Sequence, residues 1–301
     1  MLTEEQFARR KDAIGSSDVP ALFGLSPWAS AYDLWLDKTG KLTPGEEKPW
    51  MSSGNRLEPA AIDYAADELQ PESICQEPEL RSGRLLCHPD AIFTFSGTRQ
   101  EPVEAKTSGI NGPIFGNWGN FGTDEVPDHV LLQCMAHMMT MPTTPDVCHV
   151  PAILGGRGFG LFRVPLDLDI VSCILERVEE FWTQNVLADT PPEDSPASLD
   201  VLKRVIRVPE TVAELQRETL ADWIAAKEVA KIATQAMDEA QAELLTAIGT
   251  AEAGIVAETG EAVTYYEQTR ASYSVAQTTF RVARYKPKGI ILPGKAKDQN
   301  G

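Results

Sequence analysis

The stretch HPDAIFTFSGTRQEPVEAKT, residues 88–107, decides the fold. It reads as two strands joined by a turn at Ser96-Gly97. Asp90 opens the first strand, and Glu104 and Lys106 sit two apart on the second. Side chains alternate across a strand, so Glu104 and Lys106 share one face while Val103 and Ala105 take the other. Two carboxylates with an ammonium beside them suit a hard divalent cation and a reacting water. As a bare pattern this is weak, because an ordinary exposed hairpin with an ion pair carries the same letters.

The remaining chain narrows the choice. Its 301 residues suffice for one large domain or a domain with an appendage. With 43% hydrophobic and 24% charged residues it has the composition of a soluble globular protein. No apolar run approaches the ~20 residues needed to cross a bilayer, and the start, MLTEEQFARRKDAIG, lacks the apolar core of a signal peptide. Cys75, Cys87, Cys134, Cys148 and Cys173 are odd in number and form no CxxC pair, which argues for a reduced, cytoplasmic compartment and against a zinc or iron–sulfur site. A formal charge of −17 excludes a generic basic nucleic-acid coat. A DNA enzyme stays open, provided that a narrow path is lined by chosen Arg and Lys residues.

Along the chain, Ser17 or Asp18 can cap a short helix that tolerates Pro20, and Ser30 can cap a second that ends at Gly40. Arg9, Arg10 and the paired serines could hold a phosphate at such a helix start, or the serine and Asp18 could simply cap. A third helix is expected from near Glu58-Pro59, with Glu58, Ile62, Ala65 and Leu69 on the stripe facing the core. There Glu58 is either a paired or ligating acid, or an acid favoured by the helix dipole. Residues 108–125, rich in Gly, Asn and aromatics, read as a mobile surface loop.

Pro127 starts a helix on which Gln133 and His137 share a face, Met135 and Met139 being core filler. No acid at suitable spacing accompanies His137, so it is expected to be structural. Residues 146–165 form a hairpin around Gly155-Gly156; its GGRGFG is no phosphate loop, since no GK[ST] or helix follows. Ile170, Ile174, Val178, Phe181 and Trp182 then mark an amphipathic helix. The organisation expected is a domain over 1–195, a linker over 196–210, and a helical arm with short strands and a basic, flexible tail over 211–301. The tail, from Arg281 to Lys297, could touch DNA phosphates or simply solubilise.

Taken together, IGSSDVPALFGLSPWASAYDLWLDKTG, SGNRLEPAAIDYA, HPDAIF with VEAKTS, VPDHVLLQCMAHMM, ILGG and EEFWTQNVLADTPP resemble the YqaJ family of phage recombination nucleases. These are similar to lambda exonuclease, in the PD-(D/E)xK superfamily. The resemblance covers roughly residues 8–195. It implies an α/β fold with a restriction-endonuclease-like core, a central mixed β-sheet flanked by helices. It also implies Mg²⁺-dependent (Mn²⁺ substituting) 5′-to-3′ digestion of one strand of double-stranded DNA from a 5′-phosphorylated end, by a homo-oligomer, often a ring trimer. A single-strand annealing protein is the implied partner, no membrane is involved, and the setting is a phage- or prophage-derived protein in the bacterial cytoplasm. Carried onto this sequence, Asp90 and Glu104 are the implied metal ligands with the Ala105 carbonyl a third, and Lys106 positions the attacking water. Glu58 and Gln133 line the implied site, and Arg10 with Ser16 and Ser17 matches the 5′-phosphate pocket. An endonuclease built on the same core, or a DNA-end-binding scaffold with an idle site, are the rival readings.

Overall fold

The computed structural model describes residues 11–43, 45, 48–109, 117–193, 197–267 and 269. The chain divides into two compact units, Met1–Arg207 and Val208–Gly301. The first contains β1 (Ile14–Gly15), α1 (Val19–Leu22), α2 (Ala31–Lys38) and α3 (Pro49–Leu69). Local chemistry sets these boundaries. The Ser30 hydroxyl accepts the Asp33 N–H at 3.1 Å, and the Asp33 carboxylate accepts the Ser30 N–H at 3.0 Å, closing α2 in a reciprocal cap. Gly40, at φ +69°, turns the chain out of that helix.

Asp18 departs from its expected role. It precedes α1, but its carboxylate accepts from the Gly15 N–H at 3.0 Å and from Lys38 Nζ at 2.9 Å, so it ties α1 to α2 instead of capping. Helix α3 also begins well before Glu58. Pro49 occupies its first turn, where a missing N–H costs nothing, and Pro59 is carried inside the helix.

Strands β2 (Ser73–Gln76), β3 (Leu80–Ser82), β4 (Leu85–Cys87), β5 (Ala91–Phe95), β6 (Arg99–Val103) and β7 (Lys106–Ser108) follow, then α4 (Asp128–Thr140). Strands β8 (Val147–Leu154) and β9 (Gly158–Pro165) lead to α5 (Leu168–Phe181), which continues as a π-helical turn over Trp182–Leu187, and to α6 (Leu199–Arg204). The main sheet is mixed: β2, β5 and β6 are antiparallel neighbours, β6 and β7 both run parallel to β8, and β9 closes the far edge antiparallel to β8. A small second sheet joins β1, β4 and β3. The turn between β5 and β6 falls at Ser96 (φ 47°) and Gly97 (φ 75°), as the sequence required.

The strand expected to run unbroken through Glu104 and Lys106 is interrupted. Val103 stands opposite His149 and Lys106 opposite Ala152, so β6 and β7 keep one register on β8 across a two-residue gap at Glu104-Ala105. The Glu104 N–H still donates to the His149 carbonyl at 2.9 Å. Beyond Asp90 the neighbouring strand β5 is no longer paired, and α3 fills the space beside β7: a Cβ placed on Gly54 would lie 3.7 Å from Thr107 Oγ1.

Two apolar clusters sandwich the sheet. Ile62 and Ala65 of α3 pack on Phe93, Phe95 and Val103, with Ala105 at the margin. On the other face Cys148, Val150, Ala152, Phe162 and Val164 meet α1, α2, α4 and α5, including Ile174, Val178 and Phe181. This is the mixed sheet flanked by helices that the resemblance implied.

Two further readings need correction. Residues 117–126 of the glycine- and aromatic-rich segment are fastened to the edge strand: the Gly122 N–H donates to the Leu161 carbonyl at 2.8 Å, the Arg163 N–H to the Thr123 carbonyl at 3.0 Å, and Trp118 is buried. Residues 110–116 lie outside the described residues. The stretch read as a linker holds α6, Val201 is buried in the core, and Leu42 bridges to Val205. Among the described residues the second unit contains α7 (Arg217–Ile248) and a hairpin of β10 (Ala253–Ile255) and β11 (Ala262–Thr264). The strands read in YSVAQ and FRVARY and the basic tail from Arg281 lie outside the described residues.

Candidate active site

The candidate site lies at the gap between β6 and β7. With Val103 and Ala105 turned toward α3, Glu104 and Lys106 point at α4. Glu104 is buried, and every donor it meets comes from Lys106 or from successive turns of α4. Its Oε1 accepts from Lys106 Nζ and, at 2.7 Å, from Gln133 Nε2, while its Oε2 lies 2.8 Å from His137 Nε2. Lys106 Nζ also donates to Gln133 Oε1 at 3.1 Å, so the glutamine amide bridges acid and ammonium.

Asp90 sits at the head of β5, where its Oδ2 accepts the Ala105 N–H at 2.7 Å. That amide is free for the purpose because the strand is broken there. Glu58, half-buried on α3, approaches from the other side of the gap, close enough to feel both Glu104 and Lys106. The stripe reading of α3 thus stands, with Ile62 and Ala65 buried and Glu58 directed at charge.

Electrostatics divides these acids. Burial alone would push the Glu104 carboxyl up, but Lys106 and His137 outweigh it and hold its pKa at about 2. Asp90 is held well above the usual carboxylate range, by burial first and by the charge of Glu104 second. Glu58 is raised for the same two reasons, with Glu77 adding to them. Burial would lower the Lys106 pKa, yet Glu104 and Asp90 raise it, so Lys106 is an ammonium. The site therefore combines one firmly ionised acid with two acids strained by its charge.

That arrangement fits a hard divalent cation. Asp90, Glu104 and the Ala105 carbonyl supply oxygen donors, and a positive ion would relieve the repulsion that raises Asp90 and Glu58. Mg²⁺ characteristically takes one or two carboxylates and leaves its other positions to water and substrate phosphate. Among the described residues no group of three or more His, Cys, Asp or Glu side chains is placed so that it could hold a metal ion.

His137 is fully buried, in keeping with a structural role, but it does have an acid partner: Glu104, 33 residues away on another element. The phosphate-pocket residues are less gathered. Ser16 is buried and hydrogen-bonds the Cys87 thiol, whose pKa burial pushes up to about 12. Ser17 is exposed, and Arg9 and Arg10 lie outside the described residues.

Residues 6–144 match the YqaJ-like viral recombinase domain, the family that the sequence resembled. The chain is similar to the protein YqaJ of Bacillus subtilis (strain 168), at 23% identity over 261 residues, covering 79% of this chain and 76% of that one. Among solved structures it is similar to an alkaline exonuclease (LHK-Exo) from Laribacter hongkongensis, at 19% identity and a TM-score of 0.47, over 62% of this chain and 94% of that one. It is also similar to a phage related exonuclease from Haemophilus somnus 129PT, at 12% identity and a TM-score of 0.43, over 59% and 96% of the two chains. Among the described residues no helix is long and apolar enough to cross a membrane.

Proposed function

We propose that the protein is a Mg²⁺-dependent exonuclease that digests one strand of linear double-stranded DNA from a 5′-phosphorylated end. The observation that carries this reading is the convergence of Asp90, Glu104, Lys106 and Gln133 at the strand break, within a YqaJ-like viral recombinase domain. Asp90, Glu104 and the Ala105 carbonyl would hold the cation. When bound, it would neutralise the scissile phosphate and lower the pKa of a bound water toward neutrality.

The side chains have separable tasks. Lys106 is fully protonated and bridged to Gln133, so it orients and polarises the attacking water instead of removing its proton. Gln133 keeps the Lys106 ammonium and the Glu104 carboxylate at fixed separation. His137 holds Glu104 from behind in one rotamer, and Glu58 completes the acidic rim. Arg10 and Ser17 are the groups proposed to receive the 5′-phosphate; the burial of Ser16 against Cys87 gives it a packing role instead. In the recombination setting of the family, the strand left intact would pass to a single-strand annealing protein. A homo-oligomeric ring enclosing the duplex and a cytoplasmic, phage-derived setting are part of this same reading.

Linear duplex labelled at either end, with or without a 5′-phosphate, tests it in the presence of Mg²⁺. Stepwise release of nucleotides from the phosphorylated 5′ end is expected, with loss of turnover in Lys106→Ala and loss of the phosphate preference in Arg10→Ala. Full activity of Lys106→Ala would sink the assignment. Cutting of closed circular DNA would favour an endonuclease, and end binding without turnover a scaffold.

A further inference from the structure

Helix α7 carries an apolar stripe that the described residues of the second unit leave largely bare. None of its 32 residues is buried, and Met237 and Leu244 are 60% and 43% exposed. Trp223, Ala230, Met237 and Leu244 recur at intervals of seven, and Ala226, Ala233, Ala240 and Ala247 stand three residues after each. That is the heptad seam by which two helices pack side by side, and no charge interrupts it from Trp223 to Ala247. The β10–β11 hairpin meets α7 at its last turn, where a Cβ placed on Gly254 would lie 3.0 Å from Ile248 Cγ1. A helix gains most of its stability by burying such a side, so the seam calls for a partner.

The order of large and small side chains selects that partner. In a parallel pair each seam residue faces its own copy. Ala226, Ala233, Ala240 and Ala247 would then form layers of methyl groups alone, held apart by the bulky layers of Trp223, Met237 and Leu244, and voids would result. In an antiparallel pair Trp223 faces the partner's Ala247, Leu244 the partner's Ala226, and Met237 the partner's Ala233. Every bulky side chain then meets a methyl group, as interdigitated packing requires. Ala230 facing the partner's Ala240 permits close approach between them. The surface is complementary to itself, which is the condition for a twofold contact between identical chains.

Charge selects the same direction. The first half of α7 carries Lys227 and Lys231, whereas the half after Lys231 carries Asp238, Glu239 and Glu243 with no Lys or Arg. Acids in the C-terminal half of a helix oppose its dipole. Antiparallel pairing lays each acidic half beside the half that holds the lysines; parallel pairing would lay carboxylates beside carboxylates. We infer that α7 is a dimerisation element, which pairs antiparallel with α7 of a second copy of this chain, Trp223 seated on the partner's Ala247. Such pairing doubles whatever copy number the rest of the chain sets.

Light scattering on the full chain is expected to give a mass equal to an even number of copies. That mass should halve in the double variant Met237→Glu, Leu244→Glu and persist in Met237→Leu. Direction is read by disulfide formation in a background of Cys75→Ser and Cys173→Ser, which removes the exposed thiols among the described residues. Chains with Ala226→Cys mixed with chains bearing Leu244→Cys should oxidise to a covalent dimer, and neither should do so alone. A wild-type monomer, with the stripe covered by other residues of this chain or by a different protein, would overturn the inference. So would any other odd-numbered assembly, or an undiminished mass in the double variant. Self-linking of Ala226→Cys would overturn the antiparallel register.

Discussion

His137 Nε2 lies 2.8 Å from Glu104 Oε2, and neither group has contact with solvent worth the name. The pair joins a helix to the broken strand and fixes the acid from the side opposite Lys106. His137→Phe preserves bulk but leaves the Glu104 oxygen without its donor. It should destabilise the protein by about 1–3 kcal/mol and lower kcat more than it raises KM. Urea unfolding and steady-state kinetics on the same preparation would check both.

Glu104 also sets a dependence on acid. Its folded pKa, about 2, lies below the ordinary 4.5, so its contribution to stability is complete above 4.5 and is lost as the pH falls toward 2. Wild type should therefore lose stability over that window faster than Glu104→Gln. Unfolding curves collected at successive pH values would show the two converge at the acid end.

Asp90 has the opposite sign. Its carboxyl is raised by burial and by Glu104, so its contribution is present below the usual aspartate range and turns into a cost as it ionises at higher pH. Asp90→Asn keeps an acceptor for the Ala105 N–H while removing the charge. Without divalent ions it should melt higher than wild type near pH 7, by roughly 2–4 °C per kcal/mol relieved, and be inactive. Mg²⁺ should raise the melting temperature of wild type and leave that of the variant unchanged.

Gly160 on β9 makes room for the Phe121 ring, which a Cβ there would overlap. Phe121 in turn packs on Phe162 at 5.5 Å and under the Arg157 guanidinium at 4.6 Å. Gly160→Ala should cost about 1–3 kcal/mol by overpacking and loosen residues 117–126 from the sheet edge. Hydrogen exchange of the Gly122 amide, bonded to Leu161, would report the loosening.

Legibility followed locality. The turn at Ser96-Gly97, the 146–165 hairpin, α4 and the stripe of α5 each carry their signal within a few residues, and each formed as read. The same is true of Glu104 and Lys106, whose common side is a consequence of strand alternation. The start of α3 is not legible locally because two prolines, Pro49 and Pro59, could each open a helix, and spacing alone does not choose between them. The acid partner of His137 has no local signal, because Glu104 lies 33 residues upstream on another element, where no spacing rule reaches. The strand break itself has no letter: Glu104-Ala105 are ordinary residues, and the Asp90 carboxylate that takes the Ala105 amide there comes from another strand.

That capture has a consequence for how the site tolerates change. The link from Ala105 to Asp90 is made by main chain, and every amino acid except proline supplies the same N–H. Position 105 can thus drift among small apolar residues that suit its place under α3, while the amide it contributes stays constant. Half of this joint is encoded by the polymer and not by the side chain, which makes it the part of the site least exposed to mutation.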